Sequence, residues 1–341
     1  MAYRTTTVNP LFPSRQGTVE LRLIAKCYVP ENTNPDGVTL ILFHCAGSHK
    51  ESWEPTIEHL LSARDPTTDK PAIREIWAFE MQSHGEAAVA NDAALKALGA
   101  PLTVEEYAQG VKRFVASGAL KGHKLVGIGH SLGATALLLS TMPDGGVPGI
   151  AYAALVLIEP ALITREVFDA NLEERQGALS TMAGAISKRR DAWASREDAH
   201  QYFQKRFPWS VWNPRVLELY VRYGLREVVV PAADGAAGET KVTLCCTKDQ
   251  ERATYLHVEP HFVVIDTIRN LPEPLPLHFV FGGRVDLIPE YVHQSVVDLR
   301  KVASLQKVPD GGHFVVQENP KGVAEAIVNI LTGKASPKSA L

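Results

Sequence analysis

The feature that most constrains this chain is the pentapeptide Gly129-His130-Ser131-Leu132-Gly133, set between Leu125-Val126-Gly127-Ile128 and Ala134-Thr135-Ala136-Leu137-Leu138-Leu139. An apolar, β-type run enters it and a helix-forming run leaves it, which predicts a strand, a sharp turn and a helix in direct succession. A serine at such a turn needs flanking glycines, because the backbone passes itself too closely for a Cβ. The helix start then aims N–H groups at charge developing beside the serine. In this context the motif reads as a nucleophile elbow with Ser131 as nucleophile, rather than as a glycine-rich turn.

Around the elbow, apolar runs alternate with helical stretches, the pattern of a mostly parallel sheet with crossover helices. Strands are expected over Val19–Val29, Val38–His44, Ile73–Phe79, Lys124–Gly129, Tyr152–Glu159, Pro276–Phe281 and Ser304–Val308. Helices are expected over Glu105–Ser117, Leu132–Ser140, Tyr291–Val302 and Lys321–Leu331. Between Glu159 and Leu275 the rhythm changes. Thr164 to Tyr223 reads as helical and charged, with Trp193, Trp209 and Trp212; an Ala/Gly-rich loop, Ala232–Gly238, and a strand or loop, Lys241–Thr247, follow. We expect residues 1–160 and 275–333 to form one α/β core, 161–274 a mainly helical cap, and 334–341 a tail. The length of 341 residues, 45% of them hydrophobic, suits one large domain with an insertion, or at most two domains.

A serine hydroxyl needs a base, and in this chain order the histidine should follow the last strand. Pro309-Asp310-Gly311-Gly312-His313-Phe314 supplies it; His123 and His130 sit too close to the elbow to reach back. The loop His44-Cys45-Ala46-Gly47-Ser48-His49-Lys50-Glu51 follows the Val38–His44 strand, where an oxyanion hole takes its second N–H. The donors are assigned to Ala46 and Leu132, with Gly47 as the neighbouring candidate. Two carboxylates compete for the triad acid. Asp286 follows the strand Pro276–Phe281, the commonest place for it, and Glu159 ends the preceding strand; both satisfy the order Ser, acid, His.

The resemblance extends beyond the elbow. Phe43-His44-Cys45-Ala46-Gly47-Ser48-His49-Lys50-Glu51 with Glu54-Pro55 resembles a segment of fungal peroxisomal α/β-hydrolases associated with host-selective toxin and mycophenolic-acid biosynthesis. Ile76-Trp77, Gly127 to Ser131, Leu155 to Pro160 and Gly312-His313 fit the same pattern, as do Val242-Thr243-Leu244-Cys245 and Gln250-Glu251. These matches run from about residue 17 to 330. The resemblance implies an α/β-hydrolase fold. It also favours Glu159 as the acid, since such relatives often carry theirs before the cap, although Asp286 keeps the alternative open. The final Ser339-Ala340-Leu341 is similar to a peroxisomal address, and the family's habit strengthens that expectation.

The expected activity is acyl transfer to water from an ester or thioester, an acyl-CoA among the candidates, in a secondary-metabolite-like pathway. A non-hydrolytic acyltransferase, cyclase or lyase on the same fold is the alternative within enzymes, and a catalytically inactive small-molecule binding protein the alternative outside them. Serine at 131 argues against dehalogenase or epoxide-hydrolase chemistry. No metal and no organic cofactor is expected. Net charge of −3 without a long basic block argues against a nucleic-acid partner. No apolar run approaches the ~20 residues of a membrane span, and Met-Ala-Tyr-Arg-Thr-Thr-Thr lacks a signal-peptide pattern, so a soluble, intracellular protein is expected. The partners implied are a small acyl substrate and, through Ser339-Ala340-Leu341, a peroxisomal import receptor; oligomerisation is left open. Cys27, Cys45, Cys245 and Cys246 are read as buried free thiols. The three tryptophans are read as packing in the cap or as an acyl-pocket wall, and Lys188-Arg189-Arg190 as a solvated face or a contact for CoA phosphates.

Overall fold

Runs apolar at every position, not at every second one, belong to strands buried on both faces, and eight strands of the computed structural model form one such sheet. The structure describes residues 3–230 and 238–334. Numbered along the chain, the central strands are β1 Tyr3–Val8, β2 Ile24–Pro30, β3 Val38–Phe43, β4 Ile73–Glu80, β5 Lys124–His130, β6 Ala154–Ile158, β7 Leu277–Gly282 and β8 Ser304–Val308. Their spatial order is β1-β2-β4-β3-β5-β6-β7-β8. The first two pairings, β1 with β2 and β2 with β4, are antiparallel, and every pairing beyond β4 is parallel. Alternate residues feed two cores. Ile41, Phe43, Leu155, Leu157, Phe279 and Phe281 pack on one face. Leu40, Leu42, Val156, Ile158 and Val280 pack on the other. The helices Val104–Ala116 and Leu132–Ser140 cover the first face, and Glu54–Leu60 and Pro320–Leu331 the second.

The expected core strands are present, one of them divided, and one further strand and one helix boundary differ from expectation. The stretch Val19–Val29 is not one strand: Glu20–Arg22 pairs with Leu11–Pro13 in a separate hairpin, and only Ile24–Pro30 enters the sheet. β1 was not anticipated, because its polar Arg4-Thr5-Thr6-Thr7 shows no core periodicity; it pairs at the sheet edge, where little burial is needed. The helix expected over Tyr291–Val302 spans Glu290–Val297.

Residues between β6 and β7 add no strand to this sheet. They carry helices Arg165–Ala170, Leu172–Lys188, Arg196–Gln204 and Pro214–Tyr223, as the helical pattern predicts, and also Lys248–Leu256 and Glu259–Asn270, which it did not. A small antiparallel sheet joins Leu225–Val230, Glu239–Leu244 and Ala192–Trp193. The strand expected at Lys241–Thr247 thus stops at Leu244, and the Ala/Gly-rich stretch lies, but for Gly238, outside the described residues. Trp193, Trp209 and Trp212 are buried with Phe203, Tyr220 and Phe314 in a core of their own. All four cysteines are free and buried, and burial pushes the Cys27, Cys45 and Cys245 thiols up to about 12.

The elbow leaves no room for a side chain at either of its glycines. A Cβ on Gly129 would stand 2.4 Å from the Gly133 carbonyl oxygen, and one on Gly133 would stand 2.3 Å from that of Phe43. Both obstacles are backbone, so relief requires the helix to leave the sheet. Gly129→Ala should therefore cost about 3 kcal/mol or more in urea unfolding. Gly177→Ala, on a helix face with nothing within 4 Å of the added methyl, should gain about 0.5–1 kcal/mol. Equal stability of the two variants would contradict this account of the crossing.

Candidate active site

Ser131 stands between β5 and the helix Leu132–Ser140 with φ of 53°. That left-handed conformation is costly for a residue with a side chain. It is held by bonds on both sides: the Ser131 N–H donates to the Ile158 carbonyl at 3.0 Å, and the Ala134 N–H to the Ser131 carbonyl at 2.9 Å. The turn lifts the hydroxyl off the sheet toward His313, which follows β8. His313 Nε2 lies 3.0 Å from Ser131 Oγ, and His313 Nδ1 lies 3.3 Å from Glu159 Oε2. A carboxylate can only accept, so Nδ1 carries the proton and Nε2 offers its lone pair to the hydroxyl. An imidazole so set can take the serine proton and return it to another atom.

Glu159 reaches His313 because the chain turns sharply after β6; its own φ is 43°. Its Oε1 accepts the Gly282 N–H at 2.7 Å. Its Oε2 also lies 3.4 Å from Nε2 of buried His293, an ionic-range approach rather than a directed hydrogen bond. Asp286 does not meet the imidazole. Its Oδ1 accepts the His313 backbone N–H at 2.9 Å and the Leu287 N–H at 2.6 Å, while Oδ2 pairs with Arg284 at 3.2 Å. The two carboxylates are both at the histidine loop, one on the ring and one on the backbone.

Of the expected oxyanion donors, Leu132 is the first residue of its helix, where an N–H has no intrahelical acceptor. Ala46 and Leu132 line the same cavity as Ser131 and His313. Gly47 is removed from the candidates, since its N–H donates to His84 Nε2 at 3.1 Å. Cys45 is not a donor or a nucleophile here: buried, its sulfur accepts from Gln317 at 3.3 Å.

The loop carrying Ala46 rests on groups whose role the sequence did not disclose. Lys50, 1% exposed, is ringed by Glu51 at 3.0 Å, Glu80 at 3.2 Å and Glu86 at 3.0 Å. Burial alone would discharge this lysine, but the surrounding carboxylates hold its pKa above the usual value. Burial likewise raises Glu80, and Glu51, against its own burial, is drawn down to about 2 by His49 and Lys50. Arg189 is engaged in a two-pronged ion pair with Glu251, while Lys188 and Arg190 are exposed. The resemblance had singled out His49-Lys50-Glu51 and Gln250-Glu251 without assigning them a task.

Three buried imidazoles brace the site in the neutral form. His44 Nδ1 donates to the Cys45 carbonyl at 2.7 Å while its Nε2 accepts the Met81 N–H at 3.1 Å. His84 accepts from Gly47. His130 Nε2 donates to the His313 carbonyl at 2.8 Å, so the elbow histidine has a structural task that its position in sequence had hidden. Burial holds His44 and His130 down to about 3, and His84 well below its ordinary value. Among the described residues no cluster of three His, Cys, Asp or Glu could hold a metal ion, and no helix is long and apolar enough to cross a membrane.

These histidines set a pH dependence. Each is neutral in the fold far below its unfolded pKa of about 6.5, so only the unfolded chain takes up protons as pH falls. Stability should then fall between pH 6.5 and 4, by up to about 1.4 kcal/mol per pH unit for each group. Urea midpoints measured across that range should decline steadily; a flat profile would mean the histidines are charged in the fold.

Comparison with known proteins identifies the family and the fold. A model of the alpha/beta hydrolase family matches residues 40–326. An abhydrolase domain-containing protein of Alternaria alternata is 24% identical over 235 residues, 60% of this chain and 82% of that protein. Among solved structures, the peroxisomal alpha-beta-hydrolase Lpx1 of Saccharomyces cerevisiae superposes with a TM-score of 0.72 at 17% identity, covering 99% of this chain and 93% of its own. E-2-(Acetamidomethylene)succinate hydrolase follows with a TM-score of 0.60 at 17% identity, covering 95% and 98%. At these identities the structural likenesses carry the fold.

Proposed function

The chain belongs to the alpha/beta hydrolase family, and on that premise we propose that it is a serine hydrolase cleaving an ester or thioester through an acyl-enzyme. The observation that carries the proposal is the continuous relay from Ser131 Oγ through both nitrogens of His313 to Glu159, opening onto a cavity walled mainly by apolar side chains. Ser131 Oγ attacks the carbonyl carbon as His313 Nε2 takes its proton, and the carbonyl oxygen becomes an oxyanion. The Ala46 and Leu132 N–H groups receive that charge; one such donor typically contributes on the order of 10²–10³ in rate. The tetrahedral centre collapses, the leaving oxygen or sulfur departs with the proton from His313, and the acyl group remains on Ser131. Water, deprotonated by the same imidazole, then releases the acid and restores the hydroxyl.

Glu159 is the triad acid in this proposal. It keeps Nδ1 protonated and stabilises the imidazolium, whereas Asp286 holds the histidine loop by its backbone. The core of residues 1–160 and 275–333 supplies the relay, and residues 161–274 cover it as a cap. A role in secondary metabolism and a peroxisomal location belong to the same proposal. The location rests on Ser339-Ala340-Leu341, which lies outside the described residues, and on the likeness to the yeast peroxisomal hydrolase.

Ser131→Ala should abolish turnover of p-nitrophenyl and acyl-thioester substrates with the circular dichroism unchanged, a loss on the order of 10⁶. Glu159→Gln should lower kcat by about 10⁴. Asp286→Asn should act chiefly on the melting temperature and lower kcat far less. An inactive Asp286→Asn beside an active Glu159→Gln would reverse the assignment of the acid. A fluorescent protein ended with Ser339-Ala340-Leu341 should collect in peroxisomes, and a diffuse signal would remove the location alone.

A further inference from the structure

The cavity onto which Ser131 and His313 open has a volume of about 160 Å³. Its wall is largely Leu, Ile, Val, Phe and Ala, and Arg175 is the one permanently charged side chain among the lining residues. The placement follows from helical spacing. Arg175, Ala178, Leu179 and Met182 lie three, four and seven residues apart on the helix Leu172–Lys188, so they share the face turned to the cavity.

A guanidinium in such a wall is expensive unless its donors are met. The Arg175 side chain is only 13% exposed. Its Nη2 pairs at 2.5 Å with Glu174, whose side chain is 56% exposed, and the cation lies 5.5 Å from the Tyr291 ring. An exposed partner of that kind offers little. The Nε group is sealed from solvent, but Nη1 has no hydrogen-bond partner among the described residues and is not sealed. A guanidinium donor left open on the lining of this cavity is what a ligand acceptor would satisfy.

We propose that Arg175 receives a carboxylate at the far end of the acyl group, so that the substrate is a half-ester or half-thioester of a short dicarboxylic acid. The planar fork of arginine suits a carboxylate, and pairing inside an apolar cavity gains more than pairing in water. The space of about 160 Å³ beside Ser131 is close to that of the engineered ~150 Å³ cavity that binds benzene, so a short acid of four or five carbons has room there; the cavity is open to solvent and sets no upper length. The ester half of this inference rests on the hydrolase reading above; the carboxylate half does not.

The test separates the two. Ser131→Ala protein is titrated calorimetrically with monomethyl glutarate and with methyl pentanoate, ligands alike except at the far end. Monomethyl glutarate should bind about tenfold more tightly or better. In Ser131→Ala/Arg175→Met that preference should vanish, and in Ser131→Ala/Arg175→Lys it should be partly retained. Equal binding of the two ligands, no measurable binding of monomethyl glutarate, or a preference that survives Arg175→Met would each overturn the proposal. The first comparison needs no arginine variant, so misfolding of one cannot rescue it. Turnover of the mono-p-nitrophenyl ester of glutaric acid and of p-nitrophenyl pentanoate by the unaltered enzyme is measured alongside. Carboxylate preference without turnover would remove the hydrolase reading and keep the Arg175 site; turnover of both esters without preference would do the reverse.

Discussion

The structure depends on one backbone crossing, where β5 ends, the chain reverses at Ser131, and the helix Leu132–Ser140 passes beneath the ends of β3 and β5. Carbonyl oxygens of Phe43 and Gly133 stand where side chains at Gly133 and Gly129 would be. This close approach allows Ser131 to sit at φ of 53° with its hydroxyl clear of the sheet. Such a conformation costs of order 1–3 kcal/mol, and the same kind of cost recurs at Glu159, φ 43°. Both are offset by the two apolar cores that clamp the sheet. Strain at the proposed nucleophile and the proposed acid is thus carried mainly by core residues away from the cavity.

A second constraint serves the other half of the site. In the proposed mechanism the loop after β3 presents the Ala46 N–H and has to be rigid, yet it contains little apolar surface with which to pack. It is fixed by charge and by neutral imidazoles: Lys50 among Glu51, Glu80 and Glu86, and His84 on the Gly47 N–H. Buried ion pairs are a doubtful source of net stability, because desolvation opposes them. Their use here is directional. A lysine that must satisfy three carboxylates from different elements leaves the loop one position relative to β4.

The two carboxylates show how a site can divide labour that looks redundant. Asp286 and Glu159 both end at the histidine loop, and both are compatible with the order of a triad. Asp286 takes the backbone of His313 and thereby sets where the ring begins; Glu159 takes Nδ1 and sets how the ring is turned. Neither arrangement follows from position along a strand, because the distinction is one of a few ångströms across the ends of β6 and β7.

The sequence by itself determined the strand–elbow–helix unit, six of the eight central strands to within a few residues, the neighbourhood of Ser131 with His313, and the helical character of much of residues 164–223. These are local matters, written in apolar periodicity and in where glycine must stand. Only the tertiary structure decided that Val19–Val29 is divided between two sheets, that a polar edge strand at Tyr3–Val8 closes the sheet, and that Gly47 spends its N–H on His84. It alone brought Glu159 to His313, and Arg175 to the serine's cavity. Apart from the short hairpin of Leu11–Pro13 with Glu20–Arg22, these depend on contacts between residues about twenty to more than a hundred positions apart, and charged or polar groups show no periodicity that would announce a distant partner. Their positions are settled only when burial forces every donor and carboxylate to find a counterpart.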